Sequence, residues 1–486
     1  MVGYRMNKKY LLAMMFASSL LAACNDTADN HKKTIPNNDA QSSSAQNYRG
    51  AKLQLVKEPE FTMTKSTSSV NDQMHFYLTR EATLNLNIYN ANNDIVSTKT
   101  NVGLSSEHMI NIGSTYDNSA LDYGAYTYEA TFTLTNSEYQ ETFTGNFTKQ
   151  LKEIKHFEEK ISDISILGNE LLIATGDMMD PIKLFSLNIN TQNVDVDLNE
   201  FTADIIETLP APVYDMANTK KFIYIGGRFD QWMGGQLLLE YDKENKTTRS
   251  LDHLFTCKAA TDSLPCTSVF SLANTNDGLY IGTDKGLFLF NKNQAGQEQL
   301  KKITHHGLGE NTDFKTLYQD SKGWIWAGSM IEEGITFYDG MRWHPLTSET
   351  SVIPAGGYLA IAEGENNDYY FANNVSGLVK YNIDTEAAEI FTPRNSNIID
   401  HNLVSVAYTD SVIVGSHDYG IAKLQDTDKW VITNNTNSMM QTIETSSCQW
   451  SPDSPTCKDV LVVERIIQNR EGRTFTAIGK SIYEIF

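Results

Sequence analysis

The sequence predicts an all-β protein, a seven-bladed β-propeller preceded by a small β-sandwich. Two observations lead to this prediction. A unit of about 45 residues, each with apolar strands and polar turns, recurs seven times toward the C-terminus. The preceding hundred or so residues alternate apolar and polar side chains but lack this unit. The composition, with 40% hydrophobic and 20% charged residues, is that of a globular protein.

The N-terminus has the pattern of an export signal over residues 1–23. A basic stretch, RMNKK, precedes the apolar run YLLAMMFASSL, which is too short to cross a membrane. The following LAAC resembles the bacterial lipobox, and by that resemblance Cys24 is diacylated and becomes the new N-terminus. An ordinary signal peptide that happens to contain a cysteine is the alternative. Because Asn25 rather than aspartate follows Cys24, we expect the outer membrane rather than the inner.

Residues 24–51 are polar and contain few apolar side chains that could form a core. This segment is expected to be a flexible tether between the lipid anchor and the folded part.

Residues 52–149 are expected to form the β-sandwich, because short alternating segments are separated by Asn- and Gly-rich turns. The segments LNLNIYNANNDIVSTKT and GAYTYEATFTL resemble the immunoglobulin-like domain of flagellar-hook capping proteins. Asn92 and Asn93 stand where that pattern has glycine. The resemblance implies a spacer or a docking platform.

The repeat covers residues 150–486, and each copy offers three strands followed by a fourth, as in MRWHPLT and KWVITNN. The copies begin at Ile161, Val213, Val269, Phe314, Tyr358, Leu403 and Val463. Their spacings of 44 to 60 residues and four strands per unit are typical of propeller blades. A sandwich with chance internal similarity is the alternative.

Ring closure requires a strand from outside the last copy, which ends after its third strand at Phe486. The segment EIKHFEEK, Glu153 to Lys160, lies just before the first copy and parallels the fourth strand of another copy. We therefore expect it to complete the last blade and fasten the ring without a covalent bond.

One copy, DFKTLYQDSKGWIWAGSMIEEGITFYDG, resembles the two-component regulator propeller repeat. The matching positions are Asp320, Gly323, Trp326, Gly328, Gly334, Tyr338 and Asp339. In that family, such propellers form the periplasmic sensory part of membrane histidine kinases and also occur in secreted or anchored proteins. Trp324 and Trp326 are expected to lie in a strand and to pack between blades.

Four cysteines remain once Cys24 is assigned to lipid. Cys257 and Cys266 form one C-x8-C pair, and Cys448 and Cys457 form another. In an exported protein these pairs predict two local disulfides. They lie in the longest intervals of the repeat, before the third and seventh copies. Zinc binding is the alternative, although its usual cysteine spacing is shorter.

Chemistry leaves few marks on the sequence. The formal net charge of −21 excludes nucleic acid as a natural partner. Recognisable catalytic or phosphate-binding motifs are absent, so we expect neither an enzyme nor a cofactor. The pairs His305–His306 and Glu332–Glu333 and the stretch DMMD at 177–180 lack a ligand pattern and are expected to be solvated loops, without a metal.

A binding face is predicted from propeller geometry. Loops between the second and third strands, and loops leading into each innermost strand, share the face around the central channel. The candidate residues on this face are Arg228, Phe229, Trp232, Asp284, Lys285, His305, His306, His401, His417, Asp418, Tyr419 and Trp450. Trp232 and Trp450 are the strongest candidates, because a large apolar ring on a loop is costly unless it is covered.

These observations predict a non-enzymatic envelope lipoprotein whose propeller binds a protein partner or a surface polymer. Its contact with the membrane is expected through the lipid only. A ligand sensor that relays to a membrane partner is one alternative. A second is a lyase acting on a polysaccharide or lactone at the channel mouth, for which His305, His401 and His417 would be the histidines.

Overall fold

The computed structural model describes much of the protein beyond residue 59. The described residues are 60–62, 72–104, 107–115, 120–176, 183–192, 194–197, 213–228, 237–255, 268–292, 296–309, 312–330, 334–426, 429–434, 443–444, 459–460 and 463–486. The predictions for Cys24 and the tether lie outside them. So do the predictions for Glu332 and Glu333, for DMMD, and for the residues Cys257, Cys266, Cys448, Cys457, Phe229, Trp232 and Trp450.

The N-terminal module is a two-sheet β-sandwich. Its strands are β1 (Glu60–Thr62), β2 (Gln73–Tyr77), β3 (Ala82–Tyr89), β4 (Ile95–Leu104), β5 (Glu107–Asn111), β6 (Gly124–Leu134) and β7 (Gln140–Lys149). The sheets have the orders β1-β2-β5 and β4-β3-β6-β7. Alternate residues of facing strands form one core, in which Phe76 and Phe132 meet edge to face with ring centroids 5.3 Å apart.

After the sandwich, the described residues form seven four-stranded antiparallel sheets, which we call blades 1 to 7. The strand that completes blade 7 comes first in sequence and is β8 (Leu151–His156). Blade 1 contains β9 (Ile161–Leu167), β10 (Glu170–Thr175), β11 (Lys183–Asn188) and β12 (Val194–Asp197). Blade 2 contains β13 (Val213–Asn218), β14 (Phe222–Gly227), β15 (Leu238–Asp242) and β16 (Thr247–Ser250). Blade 3 contains β17 (Val269–Thr275), β18 (Gly278–Thr283), β19 (Gly286–Lys292) and β20 (Glu298–Ile303).

The remaining blades follow the same order. Blade 4 contains β21 (Phe314–Gln319), β22 (Ile325–Ser329), β23 (Ile335–Tyr338) and β24 (Trp343–Leu346). Blade 5 contains β25 (Tyr358–Glu363), β26 (Asp368–Asn373), β27 (Gly377–Asn382) and β28 (Ala387–Phe391). Blade 6 contains β29 (Leu403–Tyr408), β30 (Val412–Ser416), β31 (Ile421–Asp426) and β32 (Lys429–Thr433). A short hairpin of β33 (Ile443–Glu444) and β34 (Asp459–Val460) precedes the rest of blade 7, which is β35 (Val463–Gln468), β36 (Thr474–Ile478) and β37 (Ser481–Ile485). A 3₁₀ helix spans Asp252–Leu254.

The blades form a closed ring, a β-propeller. The first strand of each blade contacts the first strand of the next, and β35 of blade 7 contacts β9 of blade 1. Buried apolar side chains gather in clusters between successive blades, so that the core lies in the seams of the ring.

The ring closes through β8, which pairs antiparallel with β37. The Ser481 hydroxyl donates to the Glu153 carboxylate over 2.6 Å and lies 2.8 Å from Nδ1 of His156. The predicted closing strand is confirmed, although it begins two residues earlier than the predicted segment and ends at His156.

A glycine near the end of the second strand allows neighbouring blades to approach each other. A Cβ on Gly226 would lie 2.5 Å from the Val269 side chain of the next blade. A Cβ on Gly328 would lie 2.6 Å from the Tyr358 carbonyl oxygen. Because real side chains do not tolerate such distances, the glycine of the Trp-apolar-Gly motif is a packing requirement of the seam.

The motif aspartate and tryptophan also have structural roles. Asp320 accepts the Trp326 indole N–H over 3.0 Å and the Tyr369 hydroxyl over 2.7 Å. The Trp326 ring is fully buried, 4.2 Å from the ring centroid of Tyr369 in blade 5, so its predicted packing between blades is confirmed. Trp324 lies just before β22 rather than within it and stacks on Phe337 of its own blade.

The sandwich and the ring are joined without a linker, because only Gln150 separates β7 from β8. The Gln150 side-chain oxygen accepts a hydrogen bond from Thr433 of blade 6 over 2.8 Å. The rings of Tyr123 and Phe486 stack with centroids 3.9 Å apart. The sandwich therefore packs directly on blades 6 and 7.

Candidate functional site

A β-bulge at the second residue of each innermost strand shapes the central channel. In blade 3, Val269 pairs with Thr283 and Ser271 pairs with Gly282, which leaves Phe270 as the extra residue. The same shift occurs in the other six blades. The bulge residues, called position 2 below, are Ser162, Tyr214, Phe270, Lys315, Leu359, Val404 and Glu464. A bulge redirects a side chain, and the six position-2 residues whose burial is described are half-buried, each directly after a buried residue.

Three of these position-2 side chains meet. The rings of Tyr214 and Phe270 lie 5.3 Å apart between centroids. The Lys315 ammonium is 4.7 Å from the Tyr214 centroid and 4.5 Å from the Phe270 centroid. Both distances are within the range of cation–π attraction. Tyr214, Phe270, Lys315 and Arg228 are called the channel cluster below.

Arg228 joins the cluster from the end of the second strand of blade 2. Its backbone forms a β-bridge with Ser268, the residue before Val269, which places it at the boundary between blades 2 and 3. Burial raises the pKa of the Tyr214 hydroxyl, and the positive charge of the neighbouring Arg228 guanidinium opposes that rise. The cluster thus brings the Lys315 ammonium to both aromatic rings and the Arg228 guanidinium close to Tyr214.

A set of charged side chains lies at the third residue of three of the innermost strands. Arg465 of blade 7 forms ion pairs with Asp163 of blade 1, 2.9 Å away, and with Asp215 of blade 2. Both carboxylates are buried, whereas a third of the Arg465 side chain is exposed. Burial alone would lower the pKa of Arg465, but the two carboxylates raise it well above its usual value.

Asp163 has the most perturbed carboxyl group of this part of the ring. Burial raises its pKa to about 7, against the opposing effect of Arg465 and with a further contribution from Asp215. Among the described residues, its Oδ2 atom has no hydrogen-bond partner. The folded protein therefore holds the proton of this carboxyl group more tightly than the unfolded chain does.

Two of the loops predicted to form the binding face meet at blade 3. The Ser268 backbone N–H donates to the Asp284 carboxylate over 3.1 Å, joining a loop between strands to a loop that leads into blade 3. Lys285 and Asp284 form an ion pair of 3.6 Å. The structure therefore places Asp284 and Lys285 at the rim between blades 2 and 3, as it does Arg228.

Another group of predicted residues lies on blade 6. Ser416 donates to Asp400 over 2.7 Å and accepts the backbone N–H groups of Asp418 and Tyr419. Nδ1 of His417 lies 2.7 Å from Oδ1 of Asp418, and Tyr419 is 57% exposed. Burial, with Asp400 and Asp418, raises the pKa of Tyr419. The neighbouring His401 carbonyl accepts the Gly377 N–H over 2.9 Å, which joins this loop to blade 5.

The two adjacent histidines have opposite environments. His305 is exposed, but His306 is fully buried. The predictions that His306 is solvated and that it lies on the binding face are therefore wrong. Its ring packs edge-on against Phe314, with centroids 5.0 Å apart, and against Trp343. Its carbonyl accepts the Thr336 hydroxyl over 2.6 Å. His306 is therefore part of the seam between blades 3 and 4.

An outer cleft of about 880 Å³ lies between blades 4 and 5. Its wall contains the pair Asp339 and His344, 2.7 Å apart, and His344 stacks on Phe337. The pKa of Asp339 lies well below its usual range. The main cause is the hydrogen bond from the Arg342 backbone N–H, and the hydrogen bond with His344 adds to it. This arrangement fixes the hairpin between β23 and β24.

Sequence reasoning missed Tyr214, Phe270 and Lys315. A signal was present, because each of them immediately follows the first residue of a repeat copy. The first residues are all apolar, whereas the second residues include an aromatic pair, a lysine and a glutamate. Comparison of the copies position by position would have shown this variable position beside an invariably apolar one.

Two kinds of feature are absent from the described residues. No three or more of their His, Cys, Asp or Glu side chains lie close enough to hold a metal ion. Within the same part of the protein, no helix has the length and apolar character needed to cross a bilayer.

No protein-family model matches the sequence, and no curated protein matches it. Several solved structures are similar in fold. The extracellular domain of the hybrid two-component system BT4673 from B. thetaiotaomicron has 12% identity and a TM-score of 0.43, over 69% of this chain and 39% of that one. YCF48 from Cyanidioschyzon merolae has 11% identity and a TM-score of 0.46, over 69% of this chain and 98% of that one. A streptogramin B lyase has 11% identity and a TM-score of 0.45, over 69% of this chain and 97% of that one. The protein thus matches well under half of the first of these structures.

Proposed function

We propose that this protein is a non-enzymatic binding protein of the bacterial cell envelope. Its propeller binds a protein partner at the channel mouth, and its N-terminus is anchored in the outer membrane through a lipid on Cys24. A surface polymer as the ligand is the alternative. The β-sandwich supports the propeller and holds it at a fixed orientation.

The observation that carries this proposal is the channel cluster. Aromatic rings and arginine are the side chains that most often dominate binding energy at protein interfaces. Tyr214, Phe270 and Arg228 supply these groups at one point. Each residue lies on, or directly after, a strand of the ring, so little conformational entropy is lost when a partner binds.

The rim offers a second set of contacts. His417, Asp418 and Tyr419 stand on a loop whose backbone is held by hydrogen bonds to the Ser416 hydroxyl. Tyr419 is among the few large apolar or aromatic side chains exposed in the described residues. A partner that spans the channel mouth would contact both the cluster and this loop.

The proposal is tested by cross-linking the tagged full-length protein in intact cells and identifying what is recovered. The comparison is between the native protein, the double variant Tyr214→Ala with Phe270→Ala, and the control Phe222→Ala. Phe222 starts the second strand of blade 2, at the opposite face, and likewise has lysine ammonium groups 5.0 Å from its ring. Thermal unfolding confirms that each variant folds.

A protein recovered with the native form and the Phe222 variant, and lost with the double variant, supports the proposal. Recovery that is equal in all three proteins contradicts it, because the contact then lies elsewhere. Recovery of a polysaccharide instead of a protein, lost with the same double variant, supports the polymer alternative.

A further inference from the structure

We propose that an apolar strip on the rim of blades 4 to 6 binds a basic amphipathic segment of the partner protein. The strip consists of Met330, Val352, Val375 and Tyr419. These are four of the eight large hydrophobic side chains that are exposed in the described residues. The inference rests on the proposed function and specifies which part of the rim makes contact and what chemistry the partner offers.

All four residues of the strip lie on the face around the channel mouth. Met330, Val375 and Tyr419 stand between the second and third strands of blades 4, 5 and 6. Val352 stands on the loop that leads into the first strand of blade 5. Hydrophobic side chains scattered singly over a surface are ordinary, but a group of them on one face of successive blades indicates an interaction site.

The corresponding loops of the neighbouring blades differ. Blade 3 has Asp284 and Lys285 between its second and third strands, and blade 7 has Gly479 and Lys480. Neither loop presents a hydrophobic side chain. Because such loops vary in sequence without a change of fold, the hydrophobic residues of blades 4 to 6 are not required by the propeller itself.

Backbone contacts join the Met330 loop to the Val375 loop. A Cβ on Gly357, in the loop that leads into blade 5, would lie 2.3 Å from the Met330 carbonyl oxygen. Gly357 also donates its N–H to the Asn374 side chain over 2.8 Å and accepts the Asn374 N–H over 3.0 Å. Because Asn374 directly precedes Val375, the two hydrophobic residues stand on loops that meet at the seam between blades 4 and 5.

The surface continues from blade 5 to blade 6. The Gly377 N–H donates to the His401 carbonyl over 2.9 Å. The carbonyl of the next residue, Asn402, accepts the His417 N–H over 3.1 Å, and His417 lies two residues before Tyr419. The strip therefore spans three successive blades whose loops are in contact.

Hydrogen bonds within the loops fix the backbone of the strip. The Asn373 side-chain oxygen accepts the N–H groups of Val375 over 2.9 Å and of Ser376 over 2.7 Å. In blade 6, the Ser416 hydroxyl accepts the Tyr419 N–H over 3.1 Å. Because these loops are already ordered, a partner that binds them loses less conformational entropy than it would on mobile loops.

The charges beside the strip favour a basic partner. The described loops of this rim on blades 4 to 6 carry four carboxylates and one arginine, which are Asp313, Glu349, Asp400, Asp418 and Arg394. The formal charge of the whole protein is −21, so a cationic segment is attracted and an acidic one is repelled. An apolar surface within acidic surroundings fits a helix that has hydrophobic side chains on one face and lysine or arginine beside them.

Two matched pairs of exposed hydrophobic residues permit a sharp test. The rim variant combines Met330→Ser with Val375→Ser, at positions that are 41% and 60% exposed. The control variant combines Met109→Ser with Ile95→Ser in the sandwich, at positions that are 56% and 44% exposed. Because all four side chains are exposed, both variants are expected to fold like the native protein, which thermal unfolding checks.

The probe is the fluorescein-labelled peptide LKKLLKLLKKLLKL, the LK peptide, whose leucines fall on one face of a helix. Its binding to the full-length protein is measured by fluorescence anisotropy. The peptide LEELLELLEELLEL has the same pattern with the opposite charge. The peptide SKKSSKSSKKSSKS has the same lysines without the leucines.

The LK peptide is expected to bind more tightly than both other peptides. The rim variant should weaken this binding about fivefold or more, because the hydrophobic contacts are removed, and the control variant should leave it unchanged. Raising the salt concentration from about 0.05 M to about 0.3 M should also weaken binding by the native protein, because opposite charges attract the peptide.

Equal binding by the rim and control variants overturns the inference. So does binding of either other peptide that is as tight as that of the LK peptide. A native dimer in sedimentation equilibrium that the rim variant dissociates would assign the strip to a second copy of this chain, and likewise overturns it.

The two proposals can fail separately. A partner captured in cells that is lost with the Tyr214 and Phe270 double variant, but kept with the rim variant, leaves the proposed function standing and removes the strip from it. Failure to capture any partner, with the LK peptide bound at the strip, counts against the proposed function and leaves the preference of the strip for basic amphipathic segments.

Discussion

Side chains bridge the seams between the propeller blades in different ways. In two seams, called the ordinary seams below, a small neutral side chain bridges the blades: the Ser271 hydroxyl donates to the Phe314 carbonyl over 3.0 Å, and Ser405 donates to Val463 over 3.2 Å. In the seam that closes the ring, the corresponding residue is Arg465, whose partners are the carboxylates of blades 1 and 2.

The difference follows from the covalent connections between blades. Blade 3 continues covalently into blade 4, and blade 6 into β35 of blade 7, whereas β35, β36 and β37 meet blade 1 and β8 only through packing, the β8–β37 pairing and side chains. Charged hydrogen bonds are roughly twice as strong as neutral ones. The seam in which a long arginine reaches two blades is thus the one that most needs a non-covalent fastening.

The largest effect is expected for Arg465→Met. The substitution removes the cation and leaves Asp163 and Asp215 buried without it. Loss of one partner of a buried ion pair costs about 3–5 kcal/mol, and the lower end applies because a third of Arg465 is exposed. Urea unfolding should show this loss, and an unchanged midpoint would place Arg465 outside the closing mechanism.

Gly328→Ala should have the next largest effect and tests the close packing that a glycine in the second strand allows at a seam. The new Cβ would lie 2.6 Å from the Tyr358 carbonyl oxygen and 2.7 Å from the Thr316 side chain. Overpacking of this kind costs about 1–3 kcal/mol. Gly124→Ala is the control, because a Cβ there meets no atom within 4 Å. Equal thermal stability of the two variants would contradict the role of the glycine.

Ser405→Ala should have a smaller effect, about 1 kcal/mol, since it removes one neutral hydrogen bond to Val463. Urea unfolding of Ser405→Ala and Arg465→Met under the same conditions compares the stability lost in an ordinary seam with the stability lost in the closing seam. A loss as large as that of the arginine variant would remove the distinction between the two kinds of seam.

The pH dependence of the unfolding free energy should distinguish the closing seam, which contains Asp163, from the ordinary seams. Because burial raises the pKa of Asp163 to about 7, above its value of 3.8 in the unfolded state, the folded state holds its proton more tightly. Its contribution to stability therefore falls as pH rises from about 4 to about 7, by at most about 1.4 kcal/mol per pH unit for one proton. Asp163→Asn should remove this slope from the urea midpoints, and an unaltered slope would contradict the assignment.

The sequence carried more information about packing than about the site. The predicted repeat anchors, such as Val213 and Phe314, are the first residues of the innermost strands, because a fully buried position must be apolar in each copy. Tyr214 and Lys315 follow them directly and escaped notice, because simple alternation does not show that a bulge redirects the second residue. His306 was misjudged because a histidine in a loop gives no sign in sequence of the rings that cover it.

The most direct test of a partner-binding channel is photo-cross-linking in intact cells. A photoreactive phenylalanine analogue replaces Phe270 at position 2 of blade 3 or, in a separate strain, Phe222 at the opposite face. If a partner binds at the channel mouth, one cross-linked protein band is expected from position 270 and no such band from position 222. The same band from both positions, or a band from position 222 alone, would contradict it.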